Sequence, residues 1–102
     1  MKKTLSIEEI RGLLRSRLPD LRERYGVLSL EIFGSMARGR ARVRSDIDLL
    51  VELEGDRVIT LLQFIALERE LGHLLGRKVD LVEKGTLKPA IGRRILSEAI
   101  PI

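Results

Sequence analysis

Apolar residues recur at helical spacing over the first 25 positions: Ile7, Ile10, Leu14, Leu18 and Leu21 fall three or four apart, with charged residues between them. Such spacing lines one face of a helix and predicts that this face is buried. Ser6 followed three positions later by Glu9 has the form of a capping box, in which each side chain takes the other's open backbone N–H; the helix is expected to begin beside Ser6. Pro19 has no N–H and crowds the preceding turn, so it is expected to interrupt or restart the helix, and Gly26 to close it.

The period then changes. Residues 27–33, VLSLEIF, alternate at Leu28, Leu30 and Ile32 and predict a strand that Gly34 breaks. Residues 35–38 are expected to form a short helix, and residues 40–44, with three arginines among small or polar residues, a loop. Residues 47–53, IDLLVEL, form a nearly continuous apolar run that fits a central strand covered on both faces. Beyond Gly55 and Asp56, the positions Leu61, Phe64, Leu67, Leu71, Leu74 and Leu75 predict a crossover helix, and residues 78–82, KVDLV, a short strand. Strand, helix, strand in this order favours a right-handed parallel crossover. Residues 86–100 read as a last helix, with Pro89 in its first turn, Ile91, Ile95 and Ala99 on one face, and Gly92 as its weak point. The terminal AIPI is an apolar end that packs either within the molecule or against a second subunit. The whole pattern predicts an α+β (α/β) chain, a small mixed sheet with helices.

Composition narrows the function classes. With 102 residues the chain is expected to be a single domain, 1–102, because a second core would need roughly 50 residues of its own. The 44% of apolar residues is enough for one packed core and argues against a disordered chain. There is no cysteine, which removes disulfides, thiolate metal sites and cysteine nucleophiles and leaves oxygen donors or the single His73 for any metal chemistry. No signal-peptide pattern and no apolar run near the roughly 20 residues of a membrane helix is present, so a cytoplasmic protein with no membrane partner is expected. A net charge of +4 favours anionic partners. Tyr25, Phe33 and Phe64 are the only aromatics, too few for a base-stacking platform, which disfavours direct nucleic-acid binding.

The candidate chemistry lies in one spacing: Gly34-Ser35, ten residues, then Asp46-Ile47-Asp48, and Asp80 on its own predicted strand. Alternation puts Asp46 and Asp48 on one face, about 6 to 7 Å apart at Cα. If the Asp80 strand neighbours the Asp48 strand, at about 4.8 Å, a third carboxylate joins them. Three carboxylates repel one another until cations neutralise them, and an oxygen-only donor set suits Mg2+ or Mn2+. The Gly34-Ser35 turn, read as a helix start, offers backbone N–H groups to phosphate oxygens; Ser35 adds a hydroxyl and Arg38, one turn on, a positive charge.

These residues carry a resemblance. GSMARGRARVRSDIDLL resembles the GSx(10)DxD signature of the DNA polymerase beta-like nucleotidyltransferase superfamily, and the short chain resembles its minimal nucleotidyltransferase (MNT) group along nearly its whole length. Gly34, Ser35, Asp46, Asp48 and Asp80 each match the motif. The resemblance implies the polymerase beta-like fold and a HEPN-domain toxin as partner, with this chain as antitoxin transferring AMP from ATP to a hydroxyl of the toxin. It implies two Mg2+ ions held by Asp46 and Asp48, and Asp80 as a ligand of the catalytic ion that helps to deprotonate the attacking hydroxyl.

Other readings stand beside these. Taken singly, Asp80 is an exposed strand residue, Arg38, Lys88 and Arg93 are surface charges, the arginines at 40, 42 and 44 are a solvated loop, His73 is a surface or capping residue, and Tyr25 packs beside Gly26. A non-catalytic antitoxin acting by occlusion is one functional alternative, and transfer to a small molecule or RNA is another. Neither a GxxxxGK[ST] P-loop nor a GxGxxG fingerprint is present.

Overall fold

The computed structural model describes residues 5–39, 46–55 and 58–102. Helix α1, Ile7–Tyr25, begins as the capping box requires: Ser6 Oγ accepts from Glu9 N–H and Glu9 Oε1 from Ser6 N–H, each at 3.1 Å. It ends at Gly26, left-handed with φ 75°. Pro19 lies inside the helix and does not break it, contrary to the sequence expectation. The physical reason is packing on both sides of it. Leu14 and Leu21 are fully buried, holding the axis in place, whereas Pro19 and Arg15 are exposed and the carbonyl that proline leaves without a donor faces water.

Strands β1 (Val27–Phe33), β2 (Ile47–Leu53), β3 (Val79–Glu83) and β4 (Ile100–Pro101) form one sheet in the order β3-β2-β1-β4. β1 is antiparallel to β2 and to β4, while β2 and β3 are parallel, as expected for a strand–helix–strand crossover. The register of β1 shifts between Val27 and Ser29. This bulge turns Leu28 outward, 42% exposed, and buries Val27 in its place, so the simple alternation starting at Leu28 is corrected.

Helix α2, Leu61–Leu75, opens on a second capping box, Thr60 with Gln63, and turns Leu67, Leu71 and Leu75 inward. Leu61, placed on the buried face by spacing, is 74% exposed. The core fills the space between one face of the sheet and the two long helices: Ile10, Leu14 and Leu21 of α1, Leu67 and Leu71 of α2, and Leu30, Ile32, Ile47, Leu49, Val51 and Leu81 of the strands. On the other face Leu50 is buried at the centre of β2, and Lys84 Nζ reaches over to Glu31 at 3.6 Å. Lys84 belongs to a 3-10 turn, Lys84–Thr86, that precedes helix α3, Pro89–Glu98.

The last expected helix is thereby corrected at both ends. It starts at Pro89, where proline's absent N–H costs nothing, and stops at Glu98 so that Ile100–Pro101 can pair with β1. Gly92 is its buried residue, close enough to Leu87 that an added Cβ would lie 3.3 Å from Leu87 Cβ, whereas Ile91 is 54% exposed. The AIPI end packs within the molecule: Ile102 N–H donates to Leu30 O at 3.3 Å. The arginines at 40, 42 and 44 and Asp56 lie outside the described residues.

Candidate functional site

β1 delivers Gly34 and Ser35 at its carboxyl end, beside the start of β2, because the antiparallel register sets Phe33 opposite Asp48. Gly34 has φ 71°, a conformation that side chains disfavour, and it presses directly on the carboxylate. A Cβ at this position would stand 2.0 Å from Asp48 Oδ2. Glycine is thus required twice over, by backbone conformation and by space.

Residues Gly34 to Gly39 form turns, not the short helix expected over 35–38. Arg38 N–H donates to Gly34 O at 3.1 Å, and Gly39 N–H to Met36 O at 3.2 Å, after which Gly39, at φ 69°, leaves the helical path. One turn has little of a helix macrodipole. What it retains is the set of N–H groups from Ser35 to Ala37, which precede the first bond of the turn and have no acceptor within it. Met36, only 5% exposed, anchors the turn in the core.

The carboxylates are brought together by register. Asp48 and Asp80 are paired positions on the parallel strands β2 and β3, so both side chains leave the sheet on the face opposite the core, on adjacent strands. Asp46 immediately precedes β2 and is exposed, with Lys78 Nζ 3.8 Å from its Oδ2. Asp48 is half-buried, and burial raises its pKa above the ordinary carboxylate value; repulsion from Asp80 and Asp46 raises it further, and the Arg38 charge opposes them. Asp80, Asp46 and Arg38 thus all lie close enough to Asp48 for their charges to act on it. Among the described residues, no three acidic or imidazole groups are gathered tightly enough to hold a cation as they stand. The neighbouring negative charges on Asp48 make this set receptive to a divalent cation. The donors are all oxygens, and the glycine cradle keeps one side of Asp48 free of side chain, so these residues fit Mg2+ or Mn2+.

Spacing alone did not single out Lys78 as a partner of Asp46. Its position directly before a strand that lies alongside β2 was the available signal, and it becomes meaningful only once those strands are known to be neighbours. Lys88 and Arg93 are exposed on and before α3. Tyr25 is half-buried, with its hydroxyl 3.5 Å from Glu70 and its ring 5.1 Å from the Arg24 guanidinium, which supports the expected packing role. His73 is exposed in the last turn of α2.

Known proteins are similar to this chain along nearly its full length. The chain is 45% identical over 96 residues to the protein adenylyltransferase MntA of Thermococcus cleftensis, spanning 94% of this chain and 95% of that one. A solved structure described as a candidate minimal nucleotidyltransferase superposes with a TM-score of 0.78 at 40% identity, covering 98% of this chain and 99% of the other. A structure of a tri-AMPylated Shewanella oneidensis HEPN toxin in complex with an MNT antitoxin matches with a TM-score of 0.58, over 92% of this chain and 66% of that chain. At 20% identity that last match concerns the fold alone. The nucleotidyltransferase domain model matches residues 14–102, and the chain accordingly belongs to the nucleotidyltransferase domain family.

Proposed function

We propose that this nucleotidyltransferase is a protein adenylyltransferase that moves AMP from ATP onto a hydroxyl of a partner protein, and that the partner is a HEPN-domain toxin for which it serves as antitoxin. The observation that carries the reading is the in-register pair Asp48 and Asp80 beside the Gly34 turn. Support for the acceptor and partner comes from the adenylyltransferase relative and from the AMPylated toxin held by an MNT fold.

In this reading the N–H groups and hydroxyl of the Gly34-Ser35 turn hold the outer phosphates, and Arg38 adds charge at their edge. Asp46 and Asp48 would hold two divalent ions, with Asp80 as a further ligand of the catalytic one. When bound, such ions neutralise the triphosphate and stabilise charge on the departing pyrophosphate. Asp80 helps take the acceptor hydroxyl's proton; the oxygen then bonds to the α-phosphorus as the bond to the bridging oxygen of pyrophosphate breaks. Positioning and electrostatics do most of the work, since the protein forms no bond to the nucleotide. A cytoplasmic location, where ATP is abundant, would suit this reading; no helix among the described residues is long and apolar enough to cross a membrane.

The test incubates the protein with α-labelled ATP, Mg2+ and a cognate HEPN-type protein, comparing the native chain with Asp46→Asn/Asp48→Asn. Label on the partner that disappears with the double variant is the expected result. Retained neutralisation and a tight complex without any transfer would sink the enzymatic reading and leave an occluding antitoxin.

A further inference from the structure

β3 is one edge of the sheet, with β2 as its strand neighbour on one side and, among the described residues, no strand on the other. Ile47 N–H donates to Lys78 O at 2.9 Å, which orients the backbone groups of Lys78, Asp80 and Val82 towards β2 and those of Val79, Leu81 and Glu83 outward. The outward N–H of Leu81 therefore has no strand to pair with. It donates instead to Glu68 Oε2 at 2.9 Å, a half-buried carboxylate on α2. Glu68 follows Leu67, which is fully buried, so it projects from a helix face seated in the core. An ionised acceptor on a backbone N–H is among the stronger hydrogen bonds a protein makes.

Leu81 is also the residue after Asp80. Its side chain is buried on the core face, so Asp80 projects from the opposite face, next to Asp48. We propose that Glu68 is a positioning residue for Asp80: by clamping the Leu81 N–H to α2 it holds the free edge of the sheet at the height where the Asp80 carboxylate meets Asp48. The inference rests on the metal-dependent transfer proposed above. It assigns to α2 a function in the site although no residue of α2 reaches the site face. Without the clamp, β3 is held in the sheet on one side only, and the carboxylate opposed by Asp48 is free to drift outward under that repulsion.

The full chain is compared with Glu68→Ala, Glu68→Gln and Glu68→Asp by AMP transfer, Mn2+ titration and amide exchange at Leu81, with thermal melts to establish folding. Glutamine retains an oxygen acceptor at the same reach, whereas aspartate keeps the charge and is one methylene too short. Loss of a residue that orients a metal ligand typically weakens metal binding by about 10- to 100-fold. Glu68→Ala and Glu68→Asp are therefore expected to bind Mn2+ about tenfold more weakly, to lose kcat with KM for ATP unchanged, and to exchange Leu81 faster. Glu68→Gln should return each close to the native value. Native Mn2+ affinity in Glu68→Ala, or an equal loss in Glu68→Gln, overturns the proposal; where Glu68→Ala does not fold, Glu68→Asp decides by the same criteria. If the native protein transfers no AMP, the functional reading fails, while Mn2+ titration still decides the clamp, and binding by neither protein rejects it.

Discussion

Gly34 concentrates the constraints that act at the scale of a single residue. Its positive φ costs a side-chain-bearing residue about 1–3 kcal/mol, and any Cβ would enter the space of Asp48 Oδ2. Gly34→Ala should therefore lower urea-derived stability by about 1–3 kcal/mol. It should also reduce transfer about 100-fold, the effect of displacing a reacting group by about 1 Å. A variant with native stability and native rate would show that the turn yields without consequence. Asp48 offers a second test through its raised pKa. The folded state binds its proton more tightly than the unfolded chain does, so the charged form opposes folding; the penalty is complete above the raised pKa and absent below the unfolded one. Metal-free Asp48→Asn should accordingly melt at a higher temperature than the native protein at pH 7, and the gap should close by pH 3. Added Mg2+ should raise the melting temperature of the native chain and leave the variant nearly unmoved.

At the scale of elements, pattern and structure agree where the determinants are local and part where they are not. The capping box at Ser6, the bounds of β1 and β2, the glycine stop of α1 and the parallel crossover were legible, because each depends on groups within a few residues or on a rule of chain geometry. Pro19 was misread because the helix around it is held by Leu14 and Leu21 against the sheet, a gain invisible to local propensity. Proline in a helix interior costs about 3 kcal/mol relative to alanine, so Pro19→Ala should stabilise the protein by up to about that amount in chemical denaturation. Unchanged or reduced stability would mean that α1 has adapted to its proline. The bulge at Leu28 and the turn at Ser35 were missed for a related reason: one inserted residue, or one glycine four positions on, changes the outcome without altering the apolar pattern.

For the whole molecule, the decisive feature is that segments distant in sequence complete one another. The last residues close the sheet: Ile100 pairs with Ile32, and Ile100 and Ile102 pack against the core. Removing residues 100–102 should leave the backbone of β1 unpaired on that side and expose core side chains. The truncated chain is expected to melt several degrees lower and to associate on concentration, read by calorimetry and light scattering. A truncation that stays monomeric at the native melting temperature would show that β4 is dispensable. Arg24 joins the two helices at the surface, holding Asp20 at 2.6 Å and also Glu70 of α2.

By itself the sequence determined the family-bearing residues, the order of the main strands and helices, and the chemistry available: oxygen donors, a glycine beside them, and no thiol. These follow from residue identity and short-range spacing, which a linear chain carries in full. Only the tertiary structure decided that Asp80 stands opposite Asp48, that Lys78 faces Asp46, that Glu68 takes the Leu81 N–H, and that Ile100–Pro101 becomes a strand. Each of these is a meeting of residues separated by a dozen to seventy positions. Such meetings are set by the register of neighbouring strands and the seating of helices on a shared core, and no local pattern encodes either.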